Sequence, residues 1–227
     1  MASERQFTAD AAHELRTPIA AIRAQAQVAL GEADEARRRH ALQATLQGCD
    51  RAARLIEQLL TLSRLEVGST PPMAALDLVA LVRAVVAEVA PQALHKHQTI
   101  ELDAADACPV KGDATLLGVL VRNLVDNAVR YSPAQASVRI AVTAGQGAVR
   151  LTVEDSGPGI SDADLRRLGE RFFRVLGSGE GGSGLGWSIV RRIATAHQAA
   201  LHAGRSAALG GLRVEVQWHA AEPGHAG

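Results

Sequence analysis

The feature that most constrains this 227-residue chain is a change of apolar period at Val67-Gly68-Ser69-Thr70-Pro71-Pro72. Before this break apolar residues recur at helical spacing, and after it helical segments alternate with period-two strands. One packing scheme cannot serve both patterns, so two domains are expected, as the length permits. Over residues 7–30, Leu15, Ile19, Ile22, Ala26 and Ala29 are spaced by fours and threes, which predicts a bundle-forming helix. Gly31 ends it, Asp34 caps a second helix, and Leu42, Leu46, Cys49, Ala53, Ile56 and Leu60 continue the seam to about Val67. Two helices with an apolar seam cannot enclose a core alone. A second copy is therefore expected to complete a four-helix bundle, making the protein a homodimer.

A linker is expected over 68–75, followed by a second domain over 76–219 and a disordered tail over 220–227. In the second domain, helical segments at 78–94, 113–131 and 185–197 interleave with strands at 99–102, 137–143, 148–154 and 212–218, a layered α+β pattern. Twenty-four Lys and Arg balance 24 Asp and Glu. This leaves no summed positive field for nucleic acid, which is excluded as an expected partner. No run approaches the ~18 apolar residues of a membrane span, since Leu78 to Val82 is stopped by Arg83, and the first residues carry no signal-peptide core. A cytoplasmic location follows as the expectation. Cys49 and Cys108 match no metal or redox spacing and read as free thiols.

Four groups of residues carry chemistry. His13 lies about 160° around the helix from Leu15 at ~100° per residue, away from the seam. Glu14 adjoins it, Thr17 lies one turn along nearly the same face, and Pro18 removes a backbone donor inside the helix. A neutral imidazole attacks phosphorus through one nitrogen when a carboxylate takes or orients the proton on the other, the role read for Glu14. Asn123, Asn127 and Arg130 form one stripe beside an apolar face of Leu117, Leu120, Leu124 and Ala128. Asparagine is a poor helix former, and its carbonyl oxygen is a hard ligand suited to Mg²⁺. Arg130 could meet a phosphate and Tyr131 could stack on a base.

Strand alternation turns Asp155 toward the same face as Val149, Leu151 and Val153, and a buried carboxylate needs a donor. A cap on the next turn or the amino group of adenine would serve equally, and Gly157 and Gly159 would let a ring approach the backbone. The glycine-rich run over 177–186, including Gly182, Gly184 and Gly186 around Leu185, opens a helix whose free N–H groups favour anions; a plain flexible linker has the same composition. A dinucleotide fold is excluded by the poor strand before it and the lack of a following acidic residue, and a P-loop by the absence of Gly-Lys-Ser/Thr. His95 and His97 flank Lys96 in an expected loop and lack the Cys or carboxylate partners a metal site needs, and His40, His197, His202, His219 and His225 have no chemical context.

Taken together these segments resemble the sensor histidine kinases of two-component systems. His13-Glu14-Leu15-Arg16-Thr17-Pro18-Ile19 resembles their phosphoacceptor box and residues 123–131 their asparagine box. Asp155-Ser156-Gly157-Pro158-Gly159-Ile160 resembles the first glycine box, Arg171-Phe172-Phe173-Arg174 the phenylalanine box, and Gly182-Ser183-Gly184-Leu185-Gly186 the second glycine box. The wording looks closest to the quorum-sensing and metal-responsive branch. The resemblance implies a dimerisation and histidine-phosphotransfer hairpin over 1–67, then an ATP-binding α/β sandwich of the gyrase, Hsp90, histidine kinase and MutL type. It implies Asn127 with Asn123 for Mg²⁺, Asp155 for the adenine amino group, Tyr131 against its ring, Arg130 and Arg174 for phosphates, and a mobile lid over about 169–184. It further implies a receiver domain of a response regulator as partner, a phosphatase role for Thr17 in its Glu-x-x-Thr setting, and the cytoplasmic part of an inner-membrane sensor kinase. Two departures stand out: Trp187 in place of a smaller aliphatic residue, and His197-Gln198-Ala199 in place of a His-Gly-Gly turn.

Overall fold

The computed structural model describes residues 2–66, 73–145, 147–170, 173 and 184–219, and the side chains of these except residues 2–10, 12–14 and 66. The chain divides into two compact units, residues 1–64 and 65–227. The first is the expected hairpin of α1 (Ala2–Gly31) and α2 (Glu35–Glu66). Asp34 caps α2, its Oδ1 accepting from the Arg37 amide at 2.9 Å. The helices approach closely at Gly48, where a side chain would stand 2.6 Å from Ile22 Cγ1.

Against its own chain α2 buries a strip that lies beside the predicted stripe. Its buried residues are Ala41, Gly48, Leu55 and Leu62, one at every seventh position. Leu42, Leu46, Cys49, Ala53, Ile56 and Leu60 are exposed, as is Ile19 on α1. Adjacent apolar pairs such as Leu55-Ile56 and Leu59-Leu60 make the apolar arc of α2 wider than one seam. Helical spacing locates such an arc but not the edge of it that its own chain covers.

The second unit is built on a five-stranded sheet of order β2-β4-β5-β7-β6: β2 (Thr99–Ala104), β4 (Ser137–Gly145), β5 (Ala148–Asp155), β6 (Ala200–Arg205) and β7 (Leu212–His219). β2 runs parallel to β4 and the other pairings are antiparallel. One face alternates Val138, Ile140, Val149, Leu151, Val153, Val214 and Val216, all buried. α3 (Leu78–His95), α4 (Ala114–Tyr131) and α6 (Gly186–Ala196) pack in this layer, α4 lying between α3 and α6. The opposite face carries ion pairs such as Arg150 with Glu215 at 2.9 Å and Arg139 with Glu101 at 3.3 Å. This is the polar-out, apolar-in alternation of a sheet covered on one side.

α3 has the length and mean hydropathy of a membrane span despite Arg83 and Glu88. Its Leu78, Val79, Val82, Val85, Val89 and Ala93 are buried within this unit. A short antiparallel pair, β1 (Ala74–Asp77) and β3 (Pro109–Gly112), precedes the sheet. β1 begins inside the segment expected to be linker, and β3, β6 and the short helix α5 (Asp162–Arg167) were likewise not predicted. Ala-Ala-Leu-Asp and Ala-Leu-His-Ala-Gly-Arg contain no β-branched residue, so only pairing with β3 and β7 makes them strands. The expected tail over 220–227 lies outside the described residues.

Both ends of α4 are fixed by groups distant in sequence. Asp113 caps its N-terminus through the Leu116 amide at 2.9 Å, and the Asp113 amide donates to His197 Nε2 at 3.0 Å. The buried His197 ring carries its proton on Nδ1, which donates to Ile193 O at 2.8 Å, so it joins the end of α6 to the start of α4. This is a context that His197 lacked in the sequence. Gln198 follows with φ of +52°, a left-handed conformation that favours glycine. At the other end Lys96 Nζ donates to the carbonyls of Val129 (3.2 Å), Arg130 (2.7 Å) and Ser132 (3.3 Å). Gln98 Nε2 adds Val129 (3.0 Å), Ser132 (3.0 Å) and Pro133 (2.9 Å). A cation over the carbonyl end of a helix is favourable, and a hydrogen bond from a charged donor contributes about 1.5–3 kcal/mol. Lys96→Met is therefore expected to destabilise this unit by about 1.5–3 kcal/mol in urea unfolding, with Lys96→Arg losing much less; equal midpoints for Met and parent would remove the assigned role.

Candidate functional site

Asp155 ends β5 with its side chain turned inward and 7% exposed. Its Oδ1 accepts from the amides of Gly157 at 2.9 Å and Leu212 at 3.2 Å, and its own carbonyl accepts from Gly211 N at 3.1 Å. Burial pushes its carboxyl above the ordinary carboxylate value, opposed by the Gly157 and Leu212 amides. Two glycines make this possible. A side chain on Gly157 would stand 2.9 Å from Asp155 Oδ1 and 3.3 Å from Tyr131 O, and one on Gly211 would collide with the Asp155 carboxylate and carbonyl. Gly159 takes φ of +71° and Gly210 φ of +85° to carry the two turns past each other. The β6–β7 turn is tied down in the same place. Ser206 Oγ donates to Glu154 Oε1 at 2.9 Å, and its amide donates to Gly211 O at 2.8 Å.

The asparagine stripe lies on α4. Asn123 Nδ2 donates back to Val119 O at 2.7 Å, which turns its Oδ1 toward α6. A side chain on Gly186 would stand 2.9 Å from Asn123 Oδ1 and 3.8 Å from Asn127 Nδ2. The glycine that opens α6 thus leaves the gap into which both amides point. Asn127 Nδ2 is buried with no hydrogen-bond partner among the described residues. Leu185, fully buried, precedes α6 with no side-chain cap, after Gly184 at φ of +69°. Uncapped amides at a helix start favour an anion. Amide oxygens are hard donors, and among the described residues no three His, Cys, Asp or Glu side chains converge. The donor set fits a Mg²⁺ ion that takes its further ligands from phosphates and water.

The structure places Asp155 and Gly157 beside the Tyr131 end of α4, and Gly186 beside Asn123 and Asn127 on the same helix. Tyr131 is exposed and Arg130 half-buried. Arg174 and Gly182, with most of the expected lid over 169–184, lie outside the described residues. Phe173 is described and lies under the Arg167 guanidinium at 4.2 Å. In the other unit, His13 and Glu14 are on α1 with side chains outside the described ones, and Thr17 is exposed next to Pro18. Sequence reasoning missed Gly211 and Ser206. Gly210-Gly211 ahead of an alternating strand was the signal, but what it packs on lies more than fifty positions earlier.

Two families match. The His Kinase A (phospho-acceptor) domain matches residues 3–68, and the family of histidine kinase-, DNA gyrase B- and HSP90-like ATPases matches residues 112–222. The chain is 43% identical over 222 residues to the sensor protein QseC of Salmonella typhi, covering 96% of this chain and 48% of that protein. It is 37% identical over 217 residues to the sensor protein kinase PmrB of Pseudomonas aeruginosa, covering 94% of this chain and 45% of that protein. The chain spans about half the length of the curated relatives it matches. Among solved structures, the cytoplasmic segment of histidine kinase QseC is 31% identical with a TM-score of 0.53, covering 76% of this chain and 95% of that one. Acinetobacter baumannii histidine kinase AdeS is 25% identical with a TM-score of 0.73, covering 92% and 98%.

The environment of Asp155 sets a sign for stability. Its folded pKa is raised, so its contribution is full below the ordinary carboxylate value and is lost as pH rises through the folded value. Asp155→Asn keeps an oxygen acceptor without the charge. It is expected to match or exceed the parent's stability at pH 7, with the parent gaining on it as the pH is lowered through the raised pKa. Denaturant unfolding of both proteins at several pH values measures this, and parallel profiles would show that the carboxylate is not strained by burial.

Proposed function

The chain belongs to the sensor histidine kinases, carrying their phosphoacceptor domain and their ATPase-type domain in that order, and from this premise we propose that it phosphorylates His13 from Mg·ATP and passes the phosphoryl group to an aspartate on the receiver domain of a response regulator. The observation that carries this reading is the convergence of the α4 amides on the uncapped start of α6 through Gly186, with the inward Asp155 carboxylate at the far end of the same helix. Adenine would lie with its amino group on Asp155, its ring beside Tyr131 and over Gly157, and its phosphates toward Asn123, Asn127, Arg130 and α6. By the family resemblance Arg174, Gly182 and Gly184 would bind phosphates, the first two lying outside the described residues. Mg²⁺ held by Asn127 with Asn123 would neutralise charge on the phosphates as the transfer proceeds.

In the chemical step one imidazole nitrogen of His13 attacks the γ-phosphorus in line, the bond to the ADP oxygen breaks, and Glu14 takes or orients the proton on the other nitrogen. The N–P bond then breaks as a receiver aspartate attacks, which restores His13. The exposed stripe of Leu42, Leu46, Ile56 and Leu60 on α2, with Ile19 on α1, supports a homodimer in which a second copy covers it. The location that accords with this function is cytoplasmic, as part of a membrane sensor kinase.

Incubation with γ-labelled ATP is expected to give an acid-labile, base-stable label. His13→Gln should lose it, by more than a hundredfold, while binding ADP like the parent; label persisting on another residue would displace His13, and ATP hydrolysis without label would make the protein an ATPase.

Thr17 presents an exposed hydroxyl one turn after His13. There it would orient a water for attack on a docked phospho-aspartate, making the enzyme bifunctional. Thr17→Ala should keep most autophosphorylation yet slow loss of phosphate from the receiver domain about tenfold or more. Two rates falling together would make Thr17 structural, and two unchanged rates would remove its role.

A further inference from the structure

α6 meets α4 closely toward each of its ends. At its start, a side chain on Gly186 would stand 2.9 Å from Asn123 Oδ1. At its end, Nε2 of the buried His197 accepts from the Asp113 amide at 3.0 Å. A glycine permits the second approach as well as the first, since a side chain on Gly112 would stand 2.8 Å from His197 Cδ2 and 3.2 Å from Nε2. Gly186, Val190, Ile193 and His197 fall on one stripe of the helix, the first and last about 20° apart around it and about 16 Å apart along it. Val190 and Ile193, between them, are fully buried. Apolar packing of this kind is non-directional, so it presses the helix inward without fixing how far it slides. A hydrogen bond weakens steeply with misalignment and does fix the register. The ring is itself held, because Ile193 O accepts from both the His197 amide at 3.0 Å and Nδ1 at 2.8 Å.

We propose that His197 is a positioning residue for the phosphate end of the nucleotide site: through the Asp113 amide it sets the register of α6 on α4, and with it the distance from the uncapped start of α6 to Asn123 and Asn127. This deepens the Mg·ATP reading above and rests on it. On that reading the phosphates meet the first amides of α6 while the asparagines of α4 hold the metal, so the two helices must present their groups at one spacing. A slide of α6 by about 1 Å would spoil that fit, although His197 lies at the other end of the helix and touches no ligand. The base end is set independently. Asp155 is held by the Gly157 and Leu212 amides, and the Tyr131 end of α4 by Lys96 and Gln98. Loss of the His197 bond therefore acts on metal and phosphate rather than on adenine.

The test divides the imidazole into its two halves. Asparagine at 197 places an amide near Nδ1 and can bond Ile193 O without reaching Asp113, whereas glutamine extends as far as Nε2 and can accept from the Asp113 amide. The full-length parent and both variants are titrated with ADP by calorimetry, in excess Mg²⁺ and in EDTA. The parent is expected to bind ADP more tightly with Mg²⁺. His197→Asn should lose about tenfold of that metal-dependent gain, and His197→Gln should keep it. Gains that are equal in the two variants, whether both kept or both lost, overturn the proposal, as does a loss of ADP affinity by the same factor with and without Mg²⁺, the mark of a merely structural residue. The parent alone gives a measurement that needs no substitution. Coupling is reciprocal, so saturating ADP with Mg²⁺ should slow hydrogen exchange of the Asp113 amide, relative to the amides of β7, more than saturating ADP in EDTA does; equal slowing also overturns it. A parent whose ADP affinity ignores Mg²⁺ overturns the metal reading and the proposal with it, whereas a parent that gains from Mg²⁺ beside an unaffected His197→Asn removes the His197 role alone.

Discussion

Asp155 ends the central strand β5 with its carboxylate turned away from water, and much of the second unit is arranged to tolerate that. Desolvating a carboxylate is costly unless donors meet it. The Gly157 and Leu212 amides do so, but they can reach it only if the chain carries no side chain at 157 or 211. The β6–β7 turn must also return to the end of β5, which brings in Ser206, Glu154 and the left-handed Gly210. Burial pushes the carboxyl above the ordinary carboxylate value, against the pull of these two amides. A site that leaves an acceptor incompletely satisfied is suited to a ligand that brings its own donor.

α4 translates this local arrangement into a site. The helix is at once the middle of the helical layer and the carrier of the polar stripe, so its position is set by core packing of Leu117, Leu120, Val121, Leu124, Val125 and Val129. Its ends are fixed separately, by Asp113 with His197 at one and by Lys96 with Gln98 at the other. Rotation or sliding of α4 would break one set or the other. Asn123 and Asn127 therefore meet Gly186 of α6, and Tyr131 and Ser132 meet the first glycine box, without any element devoted to the site alone.

The hairpin unit follows a different logic. α2 covers one edge of its apolar arc at Ala41, Gly48, Leu55 and Leu62 and leaves the neighbouring edge exposed. An uncovered apolar strip on a helix is a cost in water. In the proposed dimer it becomes the second seam of a four-helix bundle, and the close approach at Gly48 serves the first.

The sequence by itself determined the two-part organisation, the helical hairpin, most of the elements of the second unit and the candidate residues of the proposed site. The reason is that apolar period, caps and the pairing of unusual residues along one helix face are local properties, legible at 34, 123, 127 and 155 without any fold. What only the tertiary structure decided were relations between distant segments. Ala74–Asp77 and Ala200–Arg205 are strands because β3 and β7 offer them edges, not because their residues favour it. Which edge of the α2 arc is buried against its own chain was open in the sequence, because two edges of one arc are equivalent until a helix covers one of them. Gly211 against Asp155, Gly186 against the asparagines, Lys96 beneath the end of α4 and His197 against Asp113 have the same origin. Each is a contact between groups that no spacing along the chain relates, so packing alone could assign it.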